Sequence, residues 1–187
     1  MLPPHIKEVF YGMLSGEITL DDFADWLHAD NDLEQLISAD DYFDLISLNF
    51  MRSHAAHDLS LLIGKHIDHG EFETRQLLGL LNAAKHKTPK LPCVLISLYH
   101  LYCDGYVFLD NLGLKYGLRV VVPWPLANSW EELEVSAQEA LLDSFFPELA
   151  DEIDRVISLI TDGTIVLMGK RDSRDRPRYL DLRNNLE

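Results

Sequence analysis

The longest apolar run in the chain covers residues 91–103 and reads LPCVLISLYHLYC. It is too short to span a bilayer, because a membrane-spanning helix needs about 20 apolar residues. Proline is tolerated in the first turn of a helix, so Pro92 favours a helical start, and we predict a helix from Cys93 to Cys103. Apolar residues lie on almost every side of this helix. We therefore expect it to be the central, buried helix of the fold.

Helical periodicity also dominates the chain before this run. Six helices are predicted there, beginning near Pro4, Thr19, Asp32, Asp40, Ser53 and Glu71. The apolar residues after Asp40 could also suit a strand, but we prefer the helix. The spacing of Phe23, Trp26 and Leu27 places all three side chains on one face of the second helix. We therefore expect that face, including Trp26, to pack into the core.

After this run the pattern changes several times. A helix over residues 106–116, ended by Gly117, is predicted to precede an extended segment over residues 118–125, which is β-branched and contains prolines. Ser129 and Glu132 have the spacing of a capping box. They therefore predict the start of an acidic helix.

The end of the chain changes from a helical to an alternating pattern. A last helix is predicted over residues 147–160, and residues 164–169 and 178–182 flank a charged turn, which is typical of a β-hairpin. A lone hairpin is marginally stable in water, so it must pack on helices. The sequence predicts a mainly α fold, a single domain over residues 1–187. Its bundle-like helical array (1–160) carries a C-terminal β-hairpin (164–183).

Charge is unevenly distributed along the chain. The 187 residues include 16 Lys and Arg and 31 Asp and Glu, a net charge of −15. No Lys or Arg lies between Lys7 and Arg52, a stretch with eleven acids, or between Arg119 and Arg155, a stretch with nine. Such segregation costs self-repulsion, whereas solubility alone favours mixed charges. We therefore expect the acids to bind a basic partner, and neither nucleic acid nor a membrane, because both are polyanions.

The candidate binding residues come from these two stretches. The first stretch supplies Asp21, Asp22, Asp25, Asp30, Asp32, Glu34, Asp40, Asp41 and Asp44. The second supplies Trp130, Glu131, Glu132, Glu134, Glu139 and Asp143. Tryptophan within a polar rim is typical of binding hot spots, and Trp124 and Trp130 border the second stretch.

The sequence contains no recognisable catalytic motif. The pairs His54/His57 and His66/His69 have a spacing that could hold a metal ion. Twelve residues of helix turn the two pairs about 120° away from each other, which argues against a shared site. We expect no enzyme activity, no catalytic residues, no metal and no cofactor.

The two cysteines indicate the cellular compartment. Ten helical residues would set Cys93 and Cys103 about 15 Å apart, too far for a disulfide. We expect both thiols to be buried, inert and reduced, which favours a cytoplasmic protein. The N-terminal residues 1–5 lack the pattern of a signal peptide.

Two motifs resemble those of a known group of proteins. The first is GxxTxxDFxxWL at residues 16–27, followed by LE at 33–34 and YFxLI at 42–46. The second is YCDGYxFLxxLGLxYGL at residues 102–118. With the chain length, they resemble bacterial immunity proteins of contact-dependent growth inhibition and other polymorphic-toxin systems, in particular a mainly helical group that neutralises nuclease toxins. The resemblance implies a cytoplasmic inhibitor whose partner is its cognate toxin domain, a basic nuclease.

Two other functions remain open from the sequence. An acidic regulatory or adaptor protein would also bind a basic partner, although that partner would not be a toxin. A metal-dependent or hydrolytic enzyme would use the histidine pairs.

Overall fold

The computed structural model describes residues 2–183, which are mainly helical. The helices are α1 (Pro4–Ser15), α2 (Leu20–Ala29), α3 (Leu33–Leu36), α4 (Ala39–Ile46), α5 (Ala55–Gly64), α6 (His69–Ala84), α7 (Leu91–Asp104), α8 (Leu118–Val121), α9 (Val135–Asp143) and α10 (Glu148–Thr161). The strands β1 (Ile165–Arg171) and β2 (Pro177–Asp181) follow. The predicted mainly α fold with a C-terminal hairpin is confirmed, and α1 to α6 begin within two residues of their predicted starts.

The chain folds into two compact units, Met1–Phe72 and Glu73–Glu187. The division falls within the span of α6. Each unit has a hydrophobic core of its own. The expectation of a single domain over residues 1–187 stays a prediction.

In the first unit, hydroxyl side chains fix where two acidic helices begin. Thr19 Oγ1 accepts a hydrogen bond from the Asp22 N–H at 3.1 Å, and Ser38 Oγ accepts one from the Asp41 N–H at 3.1 Å. Each such cap stabilises a helix by about 1 kcal/mol because it satisfies an N–H that has no partner within the helix. The caps place α2 and α4, and with them the first acidic stretch.

Aromatic rings form the centre of the first core. Phe10 and Phe23 are buried, and their ring centroids lie 6.1 Å apart. The Trp26 indole lies 5.3 Å from the Phe23 ring and 6.1 Å from the Phe10 ring. Trp26 therefore packs against the core while part of its indole stays exposed.

In the second unit, α7 buries one face only. Leu91, Leu95 and Leu98 are buried on it at helical spacing, whereas Cys93 and Cys103 are exposed free thiols. The expectation of buried cysteines is wrong, and the helix expected to be central and buried leaves one face exposed. Because apolar residues lie on almost every side of α7, the sequence did not show which face packs in the core and which is exposed to solvent.

A π-helix over Asn111–Gly117 packs against α7 at two glycines. A Cβ atom at Gly113 would lie 2.7 Å from the Tyr102 Cβ, and one at Gly117 would lie 2.5 Å from the Leu95 carbonyl oxygen. Any larger residue would force the backbones apart. Both glycines therefore permit this close approach, and the helical backbone continues past Gly117.

The predicted boundaries after Gly105 are wrong. A 3₁₀ turn at Val107–Leu109 and the π-helix replace the single helix predicted over residues 106–116. Gly117 is followed directly by α8, although the β-branched sequence of α8 predicted an extended segment. Val120 of α8 is fully buried, so packing outweighs its local preference.

The predicted capping box at Ser129 does not form. Its side chain makes no capping hydrogen bond, and Trp130–Glu132 is only a 3₁₀ turn. Leu133 is extended and buried in the core, which delays the acidic helix until Val135. Glu132 instead accepts a hydrogen bond from the Asn128 N–H at 3.0 Å.

The C-terminal hairpin packs on the helices of the second unit, as predicted. Its antiparallel strands pair Val166 with Leu180, both exposed, and Leu167 with Tyr179. The Tyr179 ring contacts the Phe108 ring edge-on at a centroid distance of 5.0 Å. Six of the 16 basic residues of the chain lie in or beside the hairpin: Lys170, Arg171, Arg174, Arg176, Arg178 and Arg183.

Two glycine variants test the close approach at the π-helix. Gly117→Ala is expected to lower the free energy of unfolding by about 1–3 kcal/mol, because the added methyl group overlaps the backbone of α7. Gly79→Ala in α6 is the control, since no atom lies within 4 Å of its added Cβ, and it should stabilise by about 0.5–1 kcal/mol. Urea unfolding followed by circular dichroism measures both. Equal effects of the two variants would contradict the packing described.

Candidate protein-binding surfaces

The first acidic stretch lies on α2, α3 and α4 of the first unit. Three of its nine candidate residues serve local structure: Asp22, Asp30 and Asp41. Asp22 accepts a hydrogen bond from Thr19 Oγ1 at 2.6 Å, and Asp30 accepts one from the Leu33 N–H at 2.8 Å. The other six are exposed, and no ion pair joins them to any residue in the described range 2–183: Asp21, Asp25, Asp32, Glu34, Asp40 and Asp44.

Asp41 differs from these six because the fold brings a cation to it. Lys65 Nζ lies 3.1 Å from Asp41 Oδ1, although the acidic stretch contains no Lys or Arg in sequence. His66 Nε2 lies 3.5 Å from Asp41 Oδ2, within ion-pair reach but without hydrogen-bond geometry. The hydrogen bonds from Ser38 and Lys65 hold the pKa of Asp41 below its usual value. Asp41 is therefore engaged within the first unit.

The solvent side of α4 carries an exposed aromatic ring. An α-helix turns about 100° per residue, so Phe43 points almost directly away from the buried Leu45. Its side chain is 65% exposed. Asp40 and Asp44 are both exposed and lie about 60° and about 100° around the helix from Phe43. We name Asp40, Phe43 and Asp44 the α4 face.

The second acidic stretch lies in the second unit, before and along α9. Two of its candidate residues are engaged within this unit: Glu132 with Asn128, and Asp143 in an ion pair with Lys87. Glu131, Glu134 and Glu139 are exposed and form no ion pair with any residue that the structure describes. Trp130 is half-buried, packs against the core, and accepts a hydrogen bond from Gln138 through its carbonyl oxygen.

A second tryptophan in this region is far more exposed than Trp130. The Trp124 side chain is 78% exposed and that of Leu126 is 64% exposed. Both follow Pro123, and Pro125 lies between them, so this segment cannot continue as a helix. The flanking prolines were the sequence signal for an open loop, but they did not indicate which tryptophan would face the solvent.

The side chains considered for catalysis do not form a metal centre. Among residues 2–183, no three His, Cys, Asp or Glu side chains are grouped so that they could hold a metal ion. No helix in the described part of the chain is long and apolar enough to cross a membrane.

One open cavity of about 360 Å³ lies between the π-helix and α10. Its lining includes two ion pairs, Lys115–Glu148 at 2.7 Å and Arg155–Glu152 at 2.5 Å. The hydrogen bond from Lys115 lowers the pKa of Glu148. A general acid needs a raised pKa, so this carboxylate is suited to pairing rather than to proton donation.

No protein-family model, no curated protein and no solved structure matches this chain. The resemblance to immunity proteins therefore rests on the two sequence motifs alone. The exposure and pairing of the acidic side chains are independent of it.

The interaction of Asp41 with Ser38 and Lys65 can be tested by measuring the stability of the fold at acidic pH. A lowered native pKa stabilises the fold above the unfolded pKa of about 3.9, and this stabilisation is lost as the pH falls through the lower native value. Asp41→Asn should therefore lower the urea midpoint at neutral pH, and its difference from wild type should shrink below about pH 4. Asp44→Asn, which removes no ion pair in the described structure, should leave the midpoint near that of wild type. A difference that stayed constant with pH would contradict the role of Asp41.

Proposed function

We propose that this protein is an immunity protein that binds and neutralises a basic toxin domain, and that the toxin is a nuclease. The observation that carries the proposal is the α4 face, where an exposed Phe43 lies beside two acids that pair with no cation in the described first unit. An aromatic ring within a polar rim is the usual anatomy of a binding hot spot. The sequence motifs at residues 16–46 and 102–118 resemble those of immunity proteins and favour the same function.

Charge explains why such a partner would be a nuclease. A nuclease holds phosphates and needs Lys and Arg on its substrate-binding surface. An inhibitor with exposed carboxylates competes for that surface through the same electrostatic attraction. Complementary charge also raises the association rate from about 10⁵–10⁶ M⁻¹s⁻¹ to as much as about 10⁸–10⁹ M⁻¹s⁻¹ at low salt. Fast capture matters because one uninhibited nuclease molecule acts on many substrate molecules.

The proposal assigns the protein a binding role in the cytoplasm, without chemistry of its own. The exposed acids would repel nucleic acid, so the toxin domain itself is the partner. The exposed free thiols of Cys93 and Cys103 are compatible with a reducing compartment.

Co-expression with the toxin domain encoded beside this gene tests the proposal directly. The protein should restore growth, and the purified pair should bind with an association rate that falls steeply as salt rises. Growth arrest that persists despite soluble protein would overturn the toxin partner. Rescue with an association rate insensitive to salt would overturn the electrostatic mechanism.

A matched pair of charge reversals tests the α4 face. Asp44→Lys is expected to weaken toxin binding at least about tenfold, since close interfacial charge pairs couple by about 1.5 kcal/mol or more. Asp58→Lys makes the same charge change at an exposed site of α5 and should alter binding by less than about twofold. Isothermal titration calorimetry measures both affinities. Equal losses would mean that net charge, rather than the α4 face, governs binding.

A further inference from the structure

The loop that carries Trp124 presents an apolar tip on the second unit. Trp124 and Leu126 are both strongly exposed, while Pro123 just before them is buried. The Leu126 N–H donates a hydrogen bond to the Pro123 carbonyl oxygen at 2.9 Å, which closes a tight turn beneath the indole. A tryptophan side chain offers about 150–250 Å² of surface for burial, so its exposure leaves a large apolar contact unused.

The loop is fixed in the second unit on the C-terminal side of its tip. Ala127 and Trp130 pack against the core, and the Trp130 carbonyl oxygen accepts a hydrogen bond from Gln138 at 2.9 Å. Between them, the Asn128 N–H donates to Glu132 Oε2 at 3.0 Å. These contacts constrain the chain beside the tip, and a constrained contact loses less conformational entropy when it binds.

The charges that surround this tip in sequence select its occupant. Glu131 and Glu134 are exposed, and no Lys or Arg lies between Arg119 and Arg155. Arg119 itself lies over the Phe145 ring at 5.2 Å. These two carboxylates, seven and ten residues after Trp124 and without an ion pair among the described residues, favour a cationic partner over an anionic one.

We propose that Trp124 is an anchor that stacks on an arginine side chain of the basic partner, while Glu131 and Glu134 attract the same basic surface. Arginine fits better than lysine, because its planar guanidinium stacks on an indole and is more weakly hydrated than an ammonium group. The inference rests on the proposed function, which supplies a basic partner, and adds the residue type that the second unit recognises.

Two labelled peptides of equal charge, nona-arginine and nona-lysine, serve as probes for the full chain. Fluorescence anisotropy at about 0.15 M salt should show tighter binding of nona-arginine by about fivefold, which corresponds to a cation–π contact of about 1 kcal/mol. Trp124→Ala should abolish this preference, and Trp124→Phe should keep part of it, because phenylalanine is a weaker cation–π acceptor.

Leu180→Ala is the matched control. Leu180 is also exposed and apolar, but it lies on the hairpin next to basic residues, so this variant should keep the full preference for arginine. All of these substitutions are at exposed positions, and circular dichroism confirms that each variant is folded. A preference for arginine that survives Trp124→Ala, or is equally reduced by Leu180→Ala, overturns the inference.

The outcomes also separate this inference from the proposed function. If both peptides bind equally and the toxin domain is still neutralised, the role of Trp124 as an arginine anchor is refuted and the immunity function is retained. If the arginine preference depends on Trp124 but the neighbouring toxin is not neutralised, the anchor stands and the partner is a basic protein of another kind.

Discussion

The second unit depends on the contact of the π-helix with α7. Gly117 leaves room for the Leu95 carbonyl oxygen, and Gly113 leaves room for Tyr102, so the two helical backbones lie against each other. The helical backbone continues from this contact through α8, and the loop that exposes Trp124 comes after it.

In the first unit, buried side chains determine which aromatic ring is exposed. The hydroxyl caps Thr19 and Ser38 start α2 and α4, and the buried Leu45 sets the rotation of α4 about its axis. Once that rotation is fixed, Phe43 must lie on the solvent side, with Asp40 and Asp44 beside it. The two units therefore present the same combination, an exposed aromatic side chain accompanied by carboxylates without cations of their own. The proposed binding function rests on this combination rather than on net charge.

Periodicity and capping patterns predicted the helices of the first unit and the hairpin well, because those elements are determined by local sequence. Local patterns failed at α8, where the burial of Val120 outweighed a β-branched sequence, and at Ser129, where the burial of Leu133 delayed the helix. The acidic stretches could be read directly from sequence. The engagement of Asp41 with Lys65 could not, since the cation arrives through the tertiary fold. The same holds for Phe43 and Trp124, whose exposure depends on which face of each element packs.

The basic residues of the hairpin have a further consequence for self-association. In the described part of the chain its sheet has only two strands, so each strand leaves one row of backbone N–H and C=O groups without a strand partner. Such edges recruit strands from other molecules unless charge keeps them away. Lys170 and Arg178 lie opposite each other in the register, which weakens the hairpin slightly but places like charges where a second copy would have to dock. Positive charge at this pair would oppose the docking of a second copy, and that opposition would weaken as ionic strength rises.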